Sequence, residues 1–93
     1  MIIITDKYVK EGKLNKKTLV EFGGDAVEFD GDNITFKTNV KFWLCDSLTS
    51  VYGTTFNNPV KFVLCESLAS VAGATFKKGF KAISCHNLKE DEI

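Results

Sequence analysis

The chain has 93 residues, 44% of them hydrophobic, with eight phenylalanines and a single proline. That length bounds it to one domain with a modest core. Twelve lysines balance twelve acidic residues with no arginine, which argues against base readout or phosphate clamping by arginine forks and against an acidic mimic of nucleic acid.

The start, Met1-Ile2-Ile3-Ile4, is apolar but far too short for a signal peptide or a membrane-spanning helix. It predicts a short strand over Ile2 to Thr5 in a cytoplasmic protein with no membrane partner. Asp6 to Lys17 is polar and carries Lys7, Lys10, Lys13, Lys16 and Lys17, with Tyr8, Val9 and Leu14 as apolar anchors. It reads as a solvated loop or hairpin, with a basic contact surface as the rival reading. Thr18 to Phe22 reads as the next strand. Gly23-Gly24 and Asp30-Gly31-Asp32-Asn33 are turns. The acidic residues Asp25, Glu28, Asp30 and Asp32 do not follow the order of a calcium loop.

From Phe36 to Leu88 the sequence repeats every 20 residues. Val40 to Phe56 is VKFWLCDSLTSVYGTTF, Val60 to Phe76 is VKFVLCESLASVAGATF, and a third copy begins FKAISCHNL at Phe80. A helix pair needs about 33 residues per repeat, so the unit fits one coil of a stack of strands. Val40, Phe42 and Leu44 alternate with Lys41, Trp43 and Cys45, which is strand periodicity. Bends follow at Gly53 and Gly73, and Asn57-Asn58-Pro59 and Lys77-Lys78-Gly79 close the units. Stacked about 4.8 Å apart, equivalent residues form columns. Phe36/Phe56/Phe76, Phe22/Phe42/Phe62, Val20/Val40/Val60 and Leu48/Leu68/Leu88 are the expected core. Ser47/Ser67/Asn87 and Thr55/Thr75 fall near corners. Lys41/Lys61/Lys81 run up the outside beside Asp46/Glu66/His86. The fold class predicted is mostly β: a short β-solenoid, or leucine-rich-repeat-like stack, with an N-terminal cap. Residues 1–35 form the cap and a degenerate first coil, 36–88 the repeats and 89–93 a charged tail that blunts the last edge.

The pattern resembles the BspA-like leucine-rich-repeat family, whose L-x-x-I-x-x-x-x-F, strand and C-x-x-L spacing is met by Leu48, Val51, Phe56, Val60, Phe62, Cys65 and Leu68. It is met again by Leu68, Val71, Phe76, Phe80, Cys85 and Leu88. The match covers about half the chain. The family's coil is a few residues longer and often has a proline after the strand, which this chain lacks. The resemblance implies a repeat fold; the family's long, surface-attached members are binding proteins.

Nothing in the sequence points to catalysis. His86 adjoins Cys85, but neighbours on a strand point to opposite faces. Zinc would need four ligands converging at about 2.0–2.3 Å, whereas a column spreads three thiols over about 10 Å. No metal or cofactor is expected, and the cysteines read as free thiols filling a repeat position. The informative feature is the outward face. With Val40, Phe42 and Leu44 inward, Trp43, Val63 and Ile83 face outward as an apolar stripe beside Lys41, Lys61 and Lys81, with Tyr52 nearby. The cysteines join that face unless a corner bend turns them inward. Its expected cover is the N-terminal segment (Ile2 to Ile4 with Tyr8 and Val9), a second copy of the chain, or another protein. The function expected is a non-catalytic protein-binding module. By association with stand-alone binders of this size, it is a phage- or mobile-element-encoded inhibitor of a host protein. The alternative is a structural subunit that self-assembles into a homo-oligomer through the stripe or the coil ends.

Overall fold

The computed structural model describes residues 1–88, so the predicted charged tail lies outside the described residues. The protein is mostly β. The ten strands among the described residues are β1 (Ile2–Ile4), β2 (Val9–Lys10), β3 (Lys13–Leu14), β4 (Val27–Asp30), β5 (Asn33–Phe36), β6 (Val40–Trp43), β7 (Thr54–Phe56), β8 (Val60–Val63), β9 (Thr75–Phe76) and β10 (Phe80–Ile83). One short helix, α1 (Lys16–Leu19), and two 3-10 turns lie in the N-terminal third.

Two four-stranded sheets carry the repeats, ordered β1-β6-β8-β10 and β4-β5-β7-β9. Pairing of β6, β8 and β10 is parallel and keeps the sequence period: Val40 pairs with Val60, Lys41 with Lys61, Phe42 with Phe62, and Val60 with Phe80. In the other sheet Phe36 pairs with Phe56 and Phe56 with Phe76. A parallel register equal to the repeat length stacks like on like. The rings obey it: Phe36 and Phe56 are parallel with centroids 5.3 Å apart, Phe56 and Phe76 5.1 Å, Phe42 and Phe62 4.7 Å. Between the sheets the rings meet edge to face, as ring quadrupoles favour: Phe36 on Phe42 at 78° and Phe56 on Phe62 at 82°. Phe36, Phe42, Phe56, Phe62, Leu48 and Leu68 are fully buried.

The N-terminal third departs from expectation. Thr18–Phe22 is not a strand. Asn15 caps α1 by accepting a hydrogen bond from the Lys17 amide at 3.2 Å, and a 3-10 turn over Val20–Phe22 follows. The residues that turn inward, Leu19 and Phe22, are three apart, which is helical spacing. Val20 is exposed, and Phe22 packs on Tyr8 with centroids 5.0 Å apart. Neither therefore joins the predicted columns. Ile2 and Ile4 take those places, paired with Val40 and Phe42. The N-terminal segment thus extends the sheet edge instead of lying across the outer stripe. On the other sheet β4 closes the edge by antiparallel pairing with β5. The polar stretch contains the hairpin β2–β3, turning at Glu11 and Gly12, both at positive φ. Its tip is tied down where the Gly12 carbonyl accepts from the Thr49 amide at 2.9 Å and the Thr49 hydroxyl at 3.1 Å.

A second departure recurs in each repeat. Leu44, Leu64 and Ser84 have φ of 53°, 56° and 56°, a left-handed conformation that L-residues adopt at a cost. The twist breaks strand alternation. Leu44, expected in the core, lies 44% exposed, while Cys45 and Cys65 turn inward and are fully buried.

Candidate partner-binding face

The outer face of the β6-β8-β10 sheet is set by alternation. Val40 and Phe42 point into the core, so Lys41 and Trp43 point out. The register places Trp43 beside Val63 and Val63 beside Ile83, with Lys41, Lys61 and Lys81 as the parallel column two positions earlier. Trp43 is 38% exposed and Ile83 47%; Val63 is half-buried between them. The Lys41 ammonium sits 4.3 Å from the centre of the Trp43 ring, a cation–π contact worth about 0.5–1 kcal/mol at an exposed site. Lys61 and Lys81 are exposed along the stripe.

The structure brings together six of the seven residues singled out from sequence. Tyr52 is the seventh, and no ring contact links it to Trp43 among the described residues. Its ring lies against Gly73, where even a Cβ would collide with it. Leu44 is an exposed apolar residue that strand alternation placed in the core. It carries no Gly, Asn or Asp to announce its left-handed backbone, so nothing in the pattern flagged it.

The acidic column has short-range order of its own. Asp6 accepts from the Ser47 amide at 3.0 Å and its hydroxyl at 3.3 Å. Glu66 lies 3.0 Å from His86 Nδ1, and Asn87 donates to the Glu66 carbonyl. His86 is thereby engaged with Glu66 and not with Cys85.

The thiols also have structural partners. Each donates to a backbone carbonyl of the preceding strand: Cys45 to Ile4 at 3.2 Å, Cys65 to Phe42 at 3.8 Å and Cys85 to Phe62 at 3.4 Å. Interaction with the neighbouring Cys65 thiol, together with burial, pushes Cys45 up. The same interaction pulls Cys65 down, against the effect of its burial. Burial raises Cys85. No group of three or more His, Cys, Asp or Glu side chains is placed to hold a metal ion among the described residues. No helix among them is long and apolar enough to cross a membrane.

The chain matches no family model, no curated protein and no solved structure. The reading of this face therefore rests on its chemistry alone.

Proposed function

We propose that the chain is a non-catalytic protein-binding module, a short β-solenoid of leucine-rich-repeat type. The stripe Trp43–Val63–Ile83, flanked by Lys41, Lys61 and Lys81, is its contact face. The observation that carries this is Trp43. An indole left 38% exposed, in register with two aliphatic neighbours and steadied by a lysine, has the composition of an interface anchor. The lysine column makes the complementary partner an apolar patch with an acidic rim. The solenoid reading is supported by parallel register at the sequence period in both sheets. The family resemblance rests on the sequence spacing of Leu48, Val51, Phe56, Val60, Phe62, Cys65 and Leu68. Free thiols in backbone contacts suit a reducing, cytoplasmic setting. An inhibitor from a phage or mobile element would work by occupying its target's surface in this way.

The test is a capture experiment from the source cell with the wild-type chain and a Trp43→Ser/Val63→Ser variant as paired baits. A partner retained by the first and lost by the second, with unchanged circular dichroism, is the expected result. A partner bound equally by both sinks the proposal.

The second reading, self-assembly, is favoured by the far end of the stack. There Phe80 and Leu88 are only half-buried and Ala82 is exposed, and no strand among the described residues pairs with the free edges of β9 and β10. Light scattering over a concentration series separates the two, since a persistent monomer removes assembly.

A further inference from the structure

The two ends of the stack differ. At the N-terminal end the core is closed: Ile4 of β1 and Leu19 of α1 are fully buried, and Val27 of β4 is nearly so. At the other end the same columns lie open. Phe56, Cys65 and Leu68 are fully buried, but their equivalents one period later, Phe76, Cys85 and Leu88, are only half-buried. A cleft of about 460 Å³ opens there, and its lining includes Val71, Gly73, Ala74, Phe76 and Phe80.

The backbone is open at this end too. The Leu44 amide donates to the Val63 carbonyl at 3.0 Å, and the Leu64 amide to the Ile83 carbonyl at 2.9 Å. Ser84 is the next donor in that series. It is exposed, and its amide has no partner among the described residues. No strand among them pairs with the outer edge of β9 or β10. A sheet edge with spare donors and an apolar groove beside it is a template for one more extended strand.

The columns specify what that strand carries. Val51 and Phe56, then Val71 and Phe76, set an aliphatic residue and a phenylalanine five positions apart, and the two rings stack at 5.1 Å. The sequence does not carry the series on, because the period that gives Val51 and Val71 gives Asp91 next. Charge adds a second requirement. The turn between β9 and β10 holds Lys77 and Lys78, where the preceding turn has Asn57 and Asn58. Both lysines are exposed, and neither makes an ion pair among the described residues. A second copy meeting this end with its own would bring lysines against lysines, whereas an acidic segment neutralises them.

We propose that the open end of the stack binds an extended strand of another protein, with an aliphatic residue, a phenylalanine five positions later and acidic residues directly after it. The aliphatic side chain enters the cleft over Val71, the ring stacks on Phe76, and the carboxylates pair with Lys77 and Lys78. The site is separate from the Trp43 stripe, none of whose residues lines the cleft.

The experiment is a titration of the full chain against the labelled peptide SLASVAGATFEE, which copies residues 67–76 and ends in two glutamates. Fluorescence anisotropy reads affinity, and ¹H–¹⁵N spectra read location. Saturable binding is expected, with shifts confined to Val71 to Phe80 and to Ser84. The same peptide ending in two lysines should bind about tenfold more weakly, since two exposed ion pairs are lost and replaced by repulsion. Changing the peptide's phenylalanine to alanine should also cost about tenfold, as suits an aromatic anchor. Lys77→Glu/Lys78→Glu alters only exposed side chains and should reverse the preference between the two peptides. Equal affinity for both charge forms, or shifts scattered over the surface, overturns the proposal. So does a monomeric chain that refuses the peptide, while a dimer that refuses it overturns the proposal in favour of a second copy at this end.

Discussion

The rings of Phe56 and Phe62 meet edge to face, their centroids 6.5 Å apart and their planes at 82°. Phe56 belongs to β7 and Phe62 to β8, so this contact joins the two sheets. It recurs one unit back, between Phe36 and Phe42 at 6.4 Å. Each ring is also stacked on its own column. Phe56 therefore touches Phe36, Phe42, Phe62 and Phe76. Phe56→Ala should cost about 3–5 kcal/mol, a large share of the stability of a domain this size. Phe80→Ala, at the half-buried end, should cost about 1–2 kcal/mol. Urea denaturation of the two variants checks the ranking; equal costs would mean that the interlocked columns are not what holds the sheets together.

Leu44 sits in the left-handed region with a side chain that is 44% exposed. The conformation is needed because it turns Cys45 inward. The leucine is a poor way to obtain it. Asparagine tolerates this backbone without adding the unfolded-state freedom of glycine. Leu44→Asn should therefore raise stability by about 0.5 kcal/mol, read as a small increase in Tm. The same change at Leu64, which is half-buried, should gain less because apolar contact is lost. A fall in Tm at Leu44 would show that its exposed side chain contributes more packing than the backbone strain costs.

Access and ionisation oppose each other among the thiols. The neighbouring Cys45 thiol holds Cys65 below its ordinary value, but Cys65 is fully buried. Cys85 is raised by burial, yet it alone is partly exposed. A disulfide reagent must reach the sulfur before ionisation matters. One thiol should react quickly with such a reagent in the native chain, and Cys85→Ser should abolish that phase. The other two should react at the rate of unfolding. A fast phase that survives Cys85→Ser would place the accessible sulfur at Cys65.

The core columns Phe36/Phe56/Phe76 and Phe42/Phe62, the leucines 48 and 68, and the lysine ladder were all legible because parallel pairing makes register equal to sequence period. The same rule explains the failure at the N-terminus. Ile2 pairs with Val40 across 38 residues, not 40, so β1 is invisible to a count of twenty. Val20 and Phe22 fit the count but sit in a helical turn, since Leu19 and Phe22 are three apart and Asn15 supplies a cap. The outer stripe was readable from alternation as far as Trp43. One residue later a left-handed leucine reversed the pattern. Thr54 was not singled out by the repeat pattern, and only the packing shows that its buried hydroxyl lacks a partner.

Glu21 binds the cap together through Tyr8 and Lys7, with the lysine ammonium at 3.2 Å. The bond from the Tyr8 hydroxyl, then that from Lys7, holds the Glu21 carboxyl below its ordinary value of 4.5. The carboxylate in turn raises Lys7 above 10.5 and Tyr8 above 10.0, through side-chain hydrogen bonds in both cases. A depressed carboxyl contributes stability above its unfolded value, and that contribution fades as pH falls through the folded one. Raised Lys and Tyr groups contribute below their unfolded values and lose it as pH rises through the folded ones. The cluster should therefore stabilise the chain on a plateau between about pH 5 and pH 9.5. Glu21→Gln keeps an acceptor but removes the charge. The difference in Tm between wild type and Glu21→Gln should be greatest on that plateau, shrink below pH 4.5 and shrink again above pH 10. Other carboxylates titrate equally in both proteins, so the difference isolates this one group. It should also diminish at high salt, because the ion pair is exposed. A Tm difference that stays constant from pH 3 to pH 11 would assign the effect of the substitution to side-chain packing.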